Sequence, residues 1–428
     1  MLGIASLFIL SYILQINLTV PLFLALLAAY FMFLLPIPQE KGRNLLNLTL
    51  LFVIIFVTSY FLIRNGRSIY YIPFSLIPML ATLLFSDLRI SLLLTVASAV
   101  SVSSIAGMHY YLAILFLISG LVASIFALGS RRRIVIIRAG FITGLAQALV
   151  LFLVDRFLPA EPAKYLILLI NGVVSSILVL GVLPVFEYLF RTPTDISLLE
   201  LADFDQPLLK RMIMEAPGTY HHSLVVGNLS EAACQAIGAH ALLARIGAYY
   251  HDIGKLHKPN YFNENQALPD NKHESLTPTM SKMVIMNHVK EGEELAKRYK
   301  LNSRLVDFIC QHHGTSLVYF FYRRALENIE DEGKVQEEGF RYPGPKPATK
   351  ETAVVLLADS VEAAMRSLKD PGPAKIEELV HKIINNKFID GQLDSCDLTL
   401  RDLEKISAVF VRILSGIYHS RVTYPEKP

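Results

Sequence analysis

The chain has 428 residues, of which 53% are hydrophobic and only 18% charged, whereas a soluble globular domain carries about 25% charge. The charge is unevenly placed: eleven of the 40 Lys and Arg, and five of the 37 Asp and Glu, precede residue 191. The net charge of +3 averages an apolar, slightly basic half and an ordinary polar half, so it gives no sign of a nucleic-acid polymer as partner.

In the apolar half, stretches at 2–16, 18–36, 45–63, 70–86, 89–107, 109–128, 134–154 and 165–189 each approach the length needed to cross a bilayer, about 20 apolar residues. The first two are separated only by Asn17, so the count is seven or eight, the stretch 2–16 being either a crossing helix or an interfacial one. Placing Arg131, Arg132, Arg133 and Arg138 inside puts the loop from Asp155 to Lys164 outside and returns the chain inside at Arg191. Lys41 and Arg43 then also fall inside, while Arg64 and Arg67 fall outside against the rule. This orientation places the C-terminal half in the cytoplasm. Intramembrane polar residues are sparse, Ser101, Ser103, Ser104, Gln147 and Asn171 among them, and no Asp, Glu or Lys stands in mid-helix, which argues against an ion pathway. Gly140, Gly144, Gly172, Ser175 and Ser176 are expected to let helices pack closely.

From Thr192 onward the pattern becomes amphipathic. Helices are expected at 197–213, 219–237, 240–253, 279–299, 302–312, 316–331, 349–368, 374–386 and 398–419. Segments 257–278 and 332–348 read as loops, and no segment alternates as a strand would. The fold class is all-α: a polytopic transmembrane bundle (1–190), a linker helix (191–215) and a helical domain (216–428). Cys234, Cys310 and Cys396 are odd in number and lack CxxC spacing, which argues against disulfides or a thiolate zinc site and suits a reducing cytoplasm.

Histidine is scarce, twelve in all, and every one but His109 follows residue 220. They fall in a pattern: His221-His222 opening a helix, His251-Asp252 closing another, then His288, His312-His313 and finally Asp359. Imidazoles and carboxylates together suit first-row divalent metals, and a carboxylate can bridge two ions where an imidazole cannot. Two such ions can activate water and neutralise a phosphoryl group. Neighbours such as His251 and Asp252 project about 100° apart on a helix, so both reach one cluster only near a helix end, which Gly254 is expected to supply.

The order His222, His251-Asp252, Asp359 resembles the HD phosphohydrolase superfamily, and His288 with His312-His313 resembles its two-metal branch. The strings at 215–223 (EAPGTYHHS), 248–255 (AYYHDIGK), 264–266 (ENQ), 342–347 (YPGPKP) and 358–364 (ADSVEAA) resemble the seven-transmembrane HD family, whose members are cyclic-di-AMP phosphodiesterases. Its members carry a large extracellular domain ahead of seven helices, whereas only the stretch 2–16 stands there in this sequence.

The resemblance implies that His222, His251, Asp252 and Asp359 hold one ion, and that Asp252, His288, His312 and His313 hold the other. It implies manganese or iron ahead of zinc, and attack by a shared hydroxide that opens cyclic-di-AMP to linear pApA. Lys255 is expected to act at the phosphate; Arg366, Arg341, Tyr342 and His273 are further candidates for substrate contact, Arg366 having a salt bridge to Glu362 as its alternative. His240, His257, His381 and His419 read as surface residues, and His221 as a neighbour without an assigned role. Two other functions stay open. One is hydrolysis of another nucleotide, such as cyclic-di-GMP (disfavoured by the missing Gly-Tyr-Pro), a guanosine polyphosphate or a nucleoside monophosphate. The other is a non-catalytic nucleotide-sensing receptor, which the complete ligand set disfavours. The expected partners are a cyclic dinucleotide and the lipid bilayer, and a homo-oligomer is compatible with the sequence.

Overall fold

The computed structural model describes residues 41–107, 109–155, 161–266, 272–327, 335–368 and 372–418. The expected stretches 2–16 and 18–36 lie outside these residues. The chain divides into two compact units between Ser197 and Leu198.

In the first unit, five helices are long and apolar enough to cross a membrane: α1 (Lys41–Arg64), α3 (Leu88–Ile105), α4 (Tyr110–Ala127), α5 (Arg133–Val154) and α6 (Pro162–Phe190). The expected crossing at 70–86 is not one continuous helix. It consists of a 3-10 turn, Ile69–Tyr71, and a ten-residue helix, α2 (Leu76–Phe85). Ten residues rise about 15 Å, half the hydrocarbon thickness. Proline is the cause: Pro73 has no N–H to give and holds Ile72 extended (φ −64°, ψ 119°).

Unwound backbone inside an apolar bundle needs hydrogen-bond partners, and the polar residues supply them. Asn171 of α6 donates to the carbonyls of Tyr70 and Ile72, at 3.1 Å each. Thr82 and Ser91 both donate to the carbonyl of Pro78, at 2.8 and 2.9 Å. Gln147 donates to Ser119 at 2.6 Å. The small residues act as expected: a Cβ on Gly172 would stand 2.3 Å from the carbonyl oxygen of Gly140, so α5 and α6 touch through their backbones.

The second unit is built of helices joined by turns and loops; among its described residues the β pairing is limited to an isolated bridge between Leu317 and Arg341. The single helix expected over 197–213 is broken into α7 (Asp195–Leu201) and α8 (Pro207–Glu215). The break has a local cause: the Asp203 carboxylate accepts the N–H of Asp205 at 3.0 Å, a turn that competes with the helix, and Pro207 starts the next one.

Then follow α9 (Pro217–Ile237), α10 (Ala241–Tyr250), α11 (Pro278–Arg298), α12 (Ser303–Gln311), α13 (Tyr319–Glu327), α14 (Lys350–Met365), α15 (Pro373–Ile389) and α16 (Leu400–Ile417). The central rod is α14, buried continuously from Thr352 to Asp359 and packed against α9, α10, α12 and α15. A Thr349–Thr352 capping box starts it. An apolar rod enclosed on all sides holds any polar residue on it in a fixed, dry position, and Asp359 and Glu362 are such residues.

Candidate metal centre

Local backbone geometry delivers each candidate ligand. His222 lies in the second turn of α9 on its buried face. The start of α9 is fixed by the loop that carries Glu264 and Asn265. Asn265 accepts the N–H of Thr219 at 3.0 Å and donates to its hydroxyl at 2.8 Å. Gly218 lets that loop approach, since a Cβ there would lie 1.8 Å from the Glu264 carbonyl oxygen.

His251 closes α10 and Asp252 opens a 3-10 turn, Ile253–His257. The sequence assigns the helix end to Gly254, but α10 ends before it and Gly254 is not among the left-handed glycines. Its missing side chain serves close approach instead: a Cβ would meet the His288 carbonyl oxygen at 1.8 Å and the Gly292 nitrogen at 2.5 Å. The α11 backbone thus rests on the turn, and His288 comes beside Asp252. His312 caps α12, and Gly314 turns the chain away with φ +54°.

These segments converge. Donor atoms of His222, His251, Asp252 and Asp359 lie within 4.8 Å of one another, as do those of His288, His312 and His313. Asp252 faces both groups. Its Oδ2 is 3.2 Å from His251 Nε2 and 3.7 Å from His222 Nε2. Its Oδ1 is 3.3 Å from His288 Nε2 and 3.6 Å from His312 Nε2. Asp359 is placed similarly, with Oδ1 3.0 Å from His222 Nε2 and Oδ2 3.6 Å from His313 Nδ1.

His251 Nε2 and both Asp252 oxygens are buried without a well-formed hydrogen bond, although Lys255 Nζ stands 2.7 Å from Oδ2 as an ion pair. Buried acceptors left in this way carry a desolvation cost. The convergence of imidazole nitrogens and carboxylates is the donor chemistry of a first-row divalent cation, so the residues fit one.

The local electrostatics divide the imidazoles into two kinds. Burial opposes a proton on His222 and His251, but carboxylates outweigh it: Asp359 and Glu362 raise His222, and Asp252 with Asp359 raises His251 to about 10. Burial dominates at the other three, lowering His288, bringing His312 to about 3 and holding His313 well below its usual value. Burial likewise opposes charge on Asp252 and Asp359, yet the imidazoles around them hold both carboxyls well below the usual range. One side of the site therefore attracts positive charge, and the other presents neutral nitrogen lone pairs.

The remaining candidates are placed as follows. Lys255 ion-pairs with Asp252 and with Glu264, at 2.7 Å each, and lies 5.0 Å over the Phe262 ring. Tyr342 stacks on His313 with ring centroids 4.2 Å apart. Arg366 takes its salt-bridge alternative, donating to Glu362 at 2.7 Å. Arg341 is held by Glu337 and Asp390, at 2.7 and 2.8 Å. His273 lies outside the two donor groups and donates to the Tyr261 carbonyl at 2.7 Å. His221 is exposed. His257 and His381 are exposed as expected, but His240 caps α10 by accepting the Leu243 N–H at 3.1 Å; His419 lies outside the described residues.

Three residues escaped the sequence analysis as parts of the site. Glu362 meets His222 Nδ1, and its signal was available: it follows Asp359 by three residues, on the same helix face. Glu264 anchors Lys255, and only its string stood out in the sequence. Lys387, on α15, donates to Ser316 at 2.7 Å, and Ser316 in turn accepts the Tyr342 N–H at 3.0 Å. No local sequence signal marks Lys387.

Residues 10–194 match the family model described as a 7TM receptor with intracellular HD hydrolase, and residues 219–364 match the HD domain. The cyclic-di-AMP phosphodiesterase PgpH of Bacillus subtilis is 42% identical over 88% of this chain and 54% of its own length. The chain belongs to the family of 7TM receptors with an intracellular HD hydrolase. It is accordingly a membrane protein with an all-helical HD domain. The PgpH of Listeria monocytogenes is 38% identical over 89% of the chain and 53% of its own length; the chain thus spans about half the length of these curated relatives. The crystal structure of the L. monocytogenes PgpH HD domain covers 50% of this chain and all of its own, at 46% identity and TM-score 0.48. Its complex with cyclic-di-AMP gives a TM-score of 0.49.

Proposed function

We propose that this chain is a membrane-anchored, metal-dependent phosphodiesterase that opens cyclic-di-AMP to linear pApA. In this reading residues 1–190 form the membrane bundle, 191–215 the linker and 216–428 the catalytic domain, facing the cytoplasm. The observation that carries it is the Asp252 carboxylate, buried with one oxygen toward His222 and His251 and the other toward His288 and His312. The substrate follows from the relatives, both cyclic-di-AMP phosphodiesterases by name.

His222, His251, Asp252 and Asp359 would hold one divalent ion, and Asp252, His288, His312 and His313 the second; manganese or iron suits this set of imidazoles and carboxylates better than zinc. When bound, the pair supplies an activated water and neutralises charge on the phosphoryl group.

The chain's own residues do the rest. Asp252 fixes the separation of the two imidazole groups. Lys255, held over the Phe262 ring between Asp252 and Glu264, offers an ammonium to a phosphate oxygen without moving off the site. Tyr342 keeps His313 in place by stacking and presents an aromatic edge to a base. Arg341, Arg366 and His273 are engaged by other protein groups and play a lesser part.

The test is turnover by the full chain in detergent with Mn²⁺, using cyclic-di-AMP, cyclic-di-GMP, a guanosine polyphosphate and a nucleoside monophosphate. Formation of pApA is expected; hydrolysis confined to another nucleotide, or binding without turnover, overturns the reading.

A further inference from the structure

The four imidazoles whose Nε2 enters the cluster are not held alike. His251 Nδ1 donates to the Ala248 carbonyl at 2.6 Å, His288 Nδ1 to that of Ile285 at 2.5 Å, and His312 Nδ1 to that of Ile309 at 2.9 Å. Each uses the main chain three residues earlier on its own segment. His222 does not: its Nδ1 meets the carboxylate of Glu362, 140 positions away on α14. Both residues are buried, at 4% and 2% exposure. The other Glu362 oxygen accepts from Arg366 Nε at 2.7 Å. With its Nδ1–H given to the Glu362 carboxylate, the ring points Nε2 at Asp359 Oδ1, 3.0 Å away, and at Asp252 Oδ2, 3.7 Å away, so Nε2 is the nitrogen that would serve a cation once it carries no proton.

We infer that Glu362, steadied by Arg366, is a positioning residue that makes the His222–His251–Asp252–Asp359 site the tighter of the two cation sites. A carboxylate on the far nitrogen fixes the ring and raises its basicity, and loss of such a partner weakens a metal site about 10–100-fold. A backbone carbonyl fixes the ring with less charge behind it. The inference rests on the two-ion reading above.

The experiment is Mn²⁺ titration of the full chain in detergent by calorimetry, with a thermal melt of each metal-free variant and the Co²⁺ absorption spectrum as a second readout. Wild type is expected to take up two ions of unequal affinity. Glu362→Gln keeps an acceptor but loses the charge; it is expected to weaken the tighter ion about 10–100-fold and to leave the other unchanged. Glu362→Ala is expected to weaken it at least as much, and Arg366→Gln to weaken the same ion by less. A Glu362→Gln protein whose two affinities both stay within about threefold of wild type, or both fall together, overturns the inference while the two-ion reading stands. A wild type that takes up no ion sinks both.

Discussion

The two units bury polar side chains for opposite ends. In the apolar unit several of them bind main-chain carbonyls: Asn171 donates to Tyr70 and Ile72 in the non-helical segment before Pro73, and Thr82 and Ser91 donate to Pro78. In the HD unit the buried imidazoles and carboxylates are turned toward each other, with atoms left over at Asp252 and His251. Polarity bonded to the main chain stabilises a fold; several donor atoms converging on two buried carboxylates make a site for a ligand. Amides and hydroxyls bonded to the main chain thus mean structure in one unit, and imidazoles gathered on two carboxylates mean chemistry in the other.

Four measurements would break or sharpen this contrast. The largest effect is expected from Asp252→Ala or His251→Ala in the full chain, with turnover of cyclic-di-AMP falling by about 10³-fold or more. Undiminished activity in either variant would mean that the convergence around Asp252 is structural only.

Next is Gly254→Ala, whose Cβ would fall 1.8 Å from a main-chain oxygen that cannot yield easily. A cost of about 3 kcal/mol and an unfolding temperature lower by roughly 6–12 °C are expected in a calorimetric scan. A neutral result would show that α11 does not depend on that close approach.

A smaller effect concerns protons. The carboxylates that raise His251 to about 10 keep it charged in the metal-free chain at neutral pH, so a cation arriving there must displace a proton. His222 is raised as well, so the affinity should rise as pH increases through neutrality toward about 10, with about one to two protons released, measured by calorimetry in buffers of different ionisation heat. His288, His312 and His313 are shifted downward, are neutral over that range and add nothing. Cation uptake without proton release would show that the field around His251 is not as described.

The smallest effect is Asn171→Leu, which removes a side-chain donor from the carbonyls of Tyr70 and Ile72 at a cost of about 1 kcal/mol. Unfolding of the bundle in mixed micelles should register it while metal uptake stays constant. A change in metal uptake would show that the effect of Asn171 is not confined to the bundle.

Much of the fold was legible in the residue pattern. Membrane-length helices and the amphipathic helices of the second half follow from hydrophobic period, and most boundaries fall within a few residues. The exceptions trace to proline and aspartate: Pro73 cuts the expected crossing at 70–86, and Asp203 with Pro207 cuts the expected helix at 197–213. Both were visible as residues, but a mean over an apolar or periodic window conceals a single missing N–H.

The site divides in the same way. The sequence alone determined which imidazoles and carboxylates could bind a cation, because ligand chemistry is a property of residue type and their order matched a known family. Only the tertiary structure decided how they are held. It showed that Asp252 faces two groups, that Gly254 serves approach and not termination, that Arg366 is taken by Glu362, and that Glu362 reaches His222 from 140 positions away. The physical reason is that a side chain's type is fixed by its covalent structure, whereas its partner is fixed by which helices pack together and at what distance.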